Sequence, residues 1–249
     1  MPPSHPNRRQ FALSSLALAG ASLLRAPITN AIAQDMNLPD GTYRIASGTD
    51  RMPQVPVRWR IITNTAKPGA DAPELARTLH FILPTSESGF TVDNLTTGES
   101  TQLVTHNLHA VFGAEGDIEK RYVLSGPEAP YAAFELIVAD ADDPSTIGSG
   151  TWLGATDPFT APSGQQDMEL VALGVSASDP QKEIPVAEES PLIGYVMGTP
   201  VTIIDKSNRW IPLDPGEAVV LEPGDSLRFA GDLDSRSNAF LIFARFATS

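Results

Sequence analysis

Four histidines, His5, His80, His106 and His109, and no cysteine bound the chemistry open to this 249-residue chain. Without cysteine there is no thiol nucleophile, thiolate metal site, disulfide or lipoprotein attachment point. His106 and His109 are three apart, a spacing that on a strand sends two side chains to opposite sides, so they read as solvated turn histidines. His80 sits inside the apolar run 79–83. It reads either as a buried imidazole hydrogen-bonded to backbone or as a ligand-binding group or base facing a barrel interior. The loop pair Glu188 and Glu189 could supply a general base or acidic ligand, or be solvated carboxylates. Trp59, Trp152 and Trp210 could line a pocket or pack in core and linker. There is no Gly-x-Ser-x-Gly elbow and no Gly-rich phosphate loop, so serine hydrolysis and phosphate binding have no support.

The elements that must position these groups are strands. Short stretches of alternating or continuous β-favouring residues recur between Gly, Pro, Asp and Ser clusters, as in an all-β protein. Val57-Arg58-Trp59-Arg60-Ile61 alternates apolar and cationic residues, which predicts a half-buried strand with its arginines in solvent. Further strands are expected at 79–83, 89–92, 110–112, 131–138, 169–175, 200–204, 218–221, 227–230 and 239–246. A short helix is expected at 73–78.

The strands fall into two similar sets. His109 to Asp117 aligns with Glu217 to Asp225 at a spacing of 108 (224 − 116), and each is followed by an apolar strand. An internal duplication of a unit of about a hundred residues explains this. The expected organisation is a leader at 1–33, an extended arm at 34–56, a first barrel at 57–140, a crossing linker at 141–166 and a second barrel at 167–249.

The leader carries Arg8 and Arg9 followed by Phe11, an apolar run to Leu24, Arg25 after it, and Ala31-Ile32-Ala33 before Gln34. A charged start, a short apolar core and a small-residue cleavage site make a signal peptide, and the paired arginines resemble the twin-arginine type. The expected location is periplasmic or secreted. The apolar run falls short of the roughly 20 residues of a membrane span, so no stable anchor is expected. Without Arg8, Arg9 and Arg25 the chain keeps 14 basic residues (17 − 3) against 30 acidic ones, a net charge of −16 (14 − 30). Nucleic acid and anionic membrane are therefore poor partners.

Pro215 to Phe229, with two Pro-Gly turns separated by a strand, resembles the second conserved motif of the cupin superfamily, and Ile193 to Gly198 resembles the end of the first. Ala110 to Tyr122 resembles the second motif again in the first half. The resemblance implies two tandem jelly-roll barrels. It also implies a place for Fe, Mn, Ni or Zn, held in cupin enzymes by two His and a Glu of the first motif and a His of the second. This chain departs from that pattern. The first-motif positions read Pro185, Val186, Ala187 and Glu188 in one half and Ala72 to Arg77, including Glu74, in the other. The second-motif His is replaced by Leu227 or Arg228 and by Glu119 or Lys120.

The expectation is thus an exported cupin-like protein without the usual metal, binding a small molecule or a protein, with His80, Trp59, Glu119, Glu188 and Arg228 as candidate ligand contacts. The alternative is an exported enzyme acting on a small organic acid, sugar or aromatic compound, with a divalent metal on His80 and carboxylates such as Glu74, Glu119 or Glu188 in the N-terminal barrel. A homodimer paired through sheet edges is compatible with either.

Overall fold

The computed structural model describes residues 42–69, 72–105, 108–139, 150–186, 190–230 and 239–247. The signal residues Arg8, Arg9, Phe11, Ala31 and Ala33, as well as His106 and Glu188, lie outside them. Strands are numbered in chain order.

The first half builds a five-stranded antiparallel sheet in the order β10 (Thr151–Ala155), β2 (Val57–Ala66), β9 (Ala129–Val138), β4 (Leu79–Pro84), β7 (Val111–Gly113). Facing it is a four-stranded sheet in the order β3 (Glu74–Leu75), β8 (Ile118–Tyr122), β5 (Phe90–Asn94), β6 (Glu99–Leu103). The second half repeats both. Its five-stranded sheet runs β1 (Thr42–Arg51), β11 (Gln165–Val175), β18 (Ala239–Phe246), β13 (Leu192–Gly198), β16 (Ala218–Leu221). Its four-stranded sheet runs β12 (Gln181–Glu183), β17 (Ser226–Phe229), β14 (Val201–Ile204), β15 (Trp210–Leu213). Read in chain order, the two halves have the same topology strand for strand, each with one flanking strand, β10 or β1, on the outer edge of its five-stranded sheet. The fold is all-β, two tandem jelly-roll barrels.

The two five-stranded sheets pack against each other, so each is buried on both faces. One apolar cluster joins Trp59, Phe81 and Phe134 of the first sheet to Leu170, Tyr195 and Ile242 of the second. Separate clusters fill the barrels: Ile62, Ile82, Phe90, Val92 and Leu103 in the first, and Val171, Val196, Ile203, Leu227 and Phe243 in the second. Each fully buried Leu or Phe contributes about 1.5–3 kcal/mol. Burial on both faces explains the continuous apolar runs at β9 and β18, since neither parity of side chain meets water.

Two expectations need correction. The segment read as a helix at 73–78 contains instead the two-residue strand β3, whose register pairs Glu74 with Glu119 and Leu75 with Ile118. Arg60, expected in solvent, is 1% exposed, because the face of β2 opposite Trp59 points into the barrel.

The duplication is visible down to hydrogen bonds. In the turn 114–117 the Asp117 N–H donates to the Ala114 carbonyl (3.2 Å) and its carboxylate accepts from the Ala114 N–H (3.0 Å). In the turn 222–225 Asp225 does the same with Glu222, at 3.0 and 2.9 Å. Gly116 and Gly224, with φ of 92° and 87°, supply the left-handed position that each turn requires. Leu108 lies 108 positions before Gly216 (216 − 108) and keeps a positive φ of 39° where Gly216 has 94°. A leucine tolerates that backbone because its side chain, 2% exposed, is anchored in the cluster between the barrels.

Candidate functional site

The strand registers bring four unlike residues into one row across the first five-stranded sheet. Arg60 on β2 is opposite Glu135 on β9, Glu135 is opposite His80 on β4, and His80 is opposite Gly113 on β7. Members of a row share a face, here the inner one. From the facing sheet, β8 adds Glu119 and Arg121, two apart and therefore on one side. All five charged side chains are nearly excluded from water: His80 and Glu135 are 0% exposed, Arg60 and Glu119 1%, Arg121 7%.

Charges buried this deeply must be paired. Arg60 Nε donates to Glu135. His80 Nε2 lies 3.0 Å from Glu119 Oε2, and Arg121 Nη1 lies 3.3 Å from the same oxygen. The other Nη of Arg121 reaches Glu74, which is half-exposed on β3 at the rim. His80 Nδ1 is 3.1 Å from the Thr78 carbonyl oxygen. With Glu119 ionised, the state favoured by the Arg121 guanidinium on the same oxygen, the carboxylate and the carbonyl only accept, so both ring nitrogens of His80 donate and the ring is an imidazolium. Its pKa follows suit. Burial opposes the charge, but the Glu119 carboxylate, through its charge and its hydrogen bond, and the Thr78 carbonyl outweigh burial and the repulsion from Arg121, and hold His80 above its ordinary value. For Glu119 burial pushes the carboxyl up, and the His80 and Arg121 charges prevail and hold it below its ordinary value.

Gly113 is required by this arrangement. A Cβ there would lie 2.2 Å from Glu119 Oε1 and 2.5 Å from His80 Nε2, so any other residue on β7 would collide with the pair.

The structure therefore brings together His80 and Glu119 among the candidate ligand contacts, and joins Glu74, a carboxylate of the alternative reading, to them through Arg121. Trp59 is next to Arg60 on β2 but on the opposite face, fully buried between the barrels with its ring 6.2 Å from that of Phe246. Arg228 lies on the outer face of the other barrel, where its guanidinium stacks 4.5 Å from the Trp210 ring. Four members of the site, Arg60, Glu135, Arg121 and Gly113, were missed in the sequence. Glu135 was the available signal, a lone carboxylate inside the apolar run of β9.

A transition metal needs an unprotonated imidazole nitrogen and convergent oxygen ligands. His80 offers neither nitrogen, and Arg121 stands against both neighbouring carboxylates. Among the described residues no group of three or more His, Asp and Glu has the geometry to hold an ion. The residues present do not fit the metal that the cupin resemblance implies.

No protein-family model matches the sequence, and a search of the curated proteins finds no match either. Solved structures do resemble the fold. A putative glyoxylate-induced protein of Pseudomonas aeruginosa superposes with a TM-score of 0.50 over 85% of this chain and 83% of its own, at 12% identity. An oxalate decarboxylase of Lactobacillus farciminis in its formate complex gives 0.49 over 85% and 87%, at 8% identity. Protein Ylba of E. coli gives 0.47 over 85% and 86%, at 10% identity. At such identities likeness speaks to fold alone, and with the sheet topology that fold is a pair of tandem jelly-roll barrels of cupin-like form.

Proposed function

We propose that the chain is an exported cupin-like binding protein that works without a metal, taking a small polar molecule at the charged end of its N-terminal barrel and using the C-terminal barrel as scaffold. The observation that carries this reading is the environment of His80, whose two ring nitrogens face acceptors at 3.0 and 3.1 Å and so have no lone pair for an ion. The rim supports it. Half-exposed Glu74 reaches inward to Arg121, and Trp152, 46% exposed on β10, has the buried Arg60 guanidinium 5.7 Å from its ring centre. An exposed aromatic face and a half-exposed carboxylate, each in contact with a buried arginine of the cluster, suit a small molecule with polar and planar parts. Export rests on Arg8, Arg9 and Phe11 with the Ala31-Ile32-Ala33 site.

Protein recovered from the periplasm and dialysed against a chelator should carry no stoichiometric transition metal and keep its melting temperature. A library of small polar molecules should yield ligands that raise that temperature in the wild type and not in Glu119→Gln. A tightly held metal that resists the chelator, lost in His80→Ala, would overturn the reading. Lysine at both Arg8 and Arg9 should leave the protein in the cytoplasm.

A further inference from the structure

Of the three carboxylates in the charged cluster, Glu119 and Glu135 are buried, whereas the Glu74 side chain is half-exposed on the two-residue strand β3. Glu74 nevertheless reaches the buried Arg121 guanidinium, and its hold there is contested. The register sets Glu74 directly opposite Glu119, a relation in which like charges repel, so the two carboxylates are tolerated side by side because Arg121 meets both. Water competes for the Glu74 end of this bridge and not for the Glu119 end, where Arg121 Nη1 lies 3.3 Å from Oε2. The backbone beside Glu74 is fixed independently: the Ala76 N–H donates to the Asp117 carbonyl at 2.7 Å, and the Ala76 carbonyl accepts from the Gly116 N–H at 2.8 Å. The side chain can therefore swing into water while β3 stays in place. That movement leaves one edge of a buried guanidinium without its acceptor, a place that another anion fills best.

We propose that Glu74 is a built-in competitor, and that the molecule taken up at the charged end of the N-terminal barrel carries a carboxylate that replaces Glu74 on Arg121. This rests on the reading of that end as a metal-free binding site and adds the chemical class of what it binds. A carboxylate is favoured over a neutral amide or alcohol for two reasons. The guanidinium presents a planar fork of N–H donors and no acceptor, which a carboxylate matches in shape and charge. Exchange of one carboxylate for another also leaves the charge around Arg121 unchanged, whereas a neutral molecule leaves the buried cation one anion short. The arrangement belongs to the first barrel alone. At the same spacing of 108, Glu74 corresponds to Lys182 (182 − 74), which contacts Asp179, and Arg121 corresponds to Phe229 (229 − 121), so the second barrel has neither the competitor nor the guanidinium.

Acetate is titrated into chelator-treated wild type, Glu74→Gln and Glu74→Ala, with acetamide as its neutral counterpart, and binding is read from the NMR signals of the Arg121 side-chain N–H groups. Acetate should shift those signals in all three proteins. Its affinity for Glu74→Ala should exceed that for the wild type on the order of tenfold, the worth of one charge-assisted contact no longer opposed. Glu74→Gln should fall between them, because its amide still reaches Arg121 and brings no charge; it carries the comparison if Glu74→Ala does not fold. Acetamide should leave the signals in place. Equal acetate affinity in wild type and variants, acetate binding that leaves the Arg121 signals unmoved, acetamide binding as tightly as acetate, or no acetate binding in either variant overturns the inference. Ligands without an acid group that depend on Glu119 would then leave the binding reading standing. A stoichiometric metal that resists the chelator overturns both.

Discussion

Glu119 of the N-terminal barrel and Leu227 of the C-terminal barrel hold the same position in corresponding strands, and so do Arg121 and Phe229. Leu192 is opposite Leu221 in the second barrel as His80 is opposite Gly113 in the first. At the edge of the same layer even the remaining ion pair is inverted: Arg60 and Glu135 face each other across β2 and β9, whereas Glu169 and Arg245 do so across β11 and β18, with Arg245 Nε 2.7 Å from Glu169. One set of strands therefore closes around charge and the other around leucine and phenylalanine. The jelly roll requires that inner positions be filled and satisfied, and it does not specify how. The two solutions differ in how they fail. Removing a leucine leaves a local cavity, whereas removing one member of a paired ionic cluster leaves its partners buried and uncompensated.

That difference gives the largest expected effect. Glu119→Leu, which makes the first barrel resemble the second at one position only, should destabilise by about 3–5 kcal/mol, because His80 loses the acceptor that holds its proton and Arg121 loses one of its two carboxylates. Urea unfolding followed by tryptophan fluorescence measures it. The fuller exchange, His80→Leu with Gly113→Leu, Glu119→Leu and Arg121→Phe, should recover that loss and come out neutral or more stable by about 1–4 kcal/mol, as apolar replacement of whole buried ion clusters often does. A fourfold variant less stable than Glu119→Leu alone would mean that the two barrels are not interchangeable at these positions.

The response to pH should be smaller and is also specific to the first barrel. His80 has a raised pKa in the fold, so its contribution is complete below its ordinary value, near 6.5 in an unfolded chain, and is lost as pH rises through the raised value. Glu119 has a lowered pKa, so its contribution is complete above its ordinary value, about 4.3, and is lost as pH falls through the lowered value. Stability from the pair therefore forms a plateau with an acid limb and an alkaline limb. Melting temperatures followed across pH should show both limbs in the wild type, and the fourfold variant should lose the parts due to His80 and Glu119. Unchanged limbs in that variant would assign them to other groups.

The architecture was legible in the sequence wherever apolar runs and turn chemistry coincide, because two buried faces demand continuous hydrophobic strands and a tight turn demands Gly. The strands that went unread, such as β1, β3, β6 and β12, are polar or edge strands whose burial depends on neighbours distant in the chain. The site was half legible for the same reason. His80 stood out as an imidazole in an apolar run, and Glu119 through a motif position, but Arg60 looked like the solvent side of an alternating strand. Alternation shows that two faces differ and not which one meets water. Only a second sheet packed on the Trp59 face turns Arg60 inward, and that packing is a property of the assembled pair of barrels.

The smallest expected effect tests what the barrels share. Gly116 and Gly224 close turns with matched hydrogen bonds, at φ of 92° and 87°. A Cβ on Gly116 would meet nothing within 4 Å, and one on Gly224 only the Lys206 Cβ at 3.7 Å, an ordinary contact. Packing therefore drops out of the comparison and the backbone alone decides. Alanine at either position must adopt a left-handed conformation, which costs about 1–2 kcal/mol. Gly116→Ala and Gly224→Ala should lower stability by nearly equal amounts in urea unfolding, although one turn leads into a strand carrying Glu119 and Arg121 and the other into a strand carrying Leu227 and Phe229. Equal losses would show that the duplicated turn is energetically independent of what the barrel encloses. A loss at Gly116 several times that at Gly224 would instead tie this turn to the ionic cluster. The route is the segment that carries β3: the Gly116 N–H donates to the Ala76 carbonyl at 2.8 Å, two residues from Glu74, so a shift there would loosen the carboxylate that Arg121 holds.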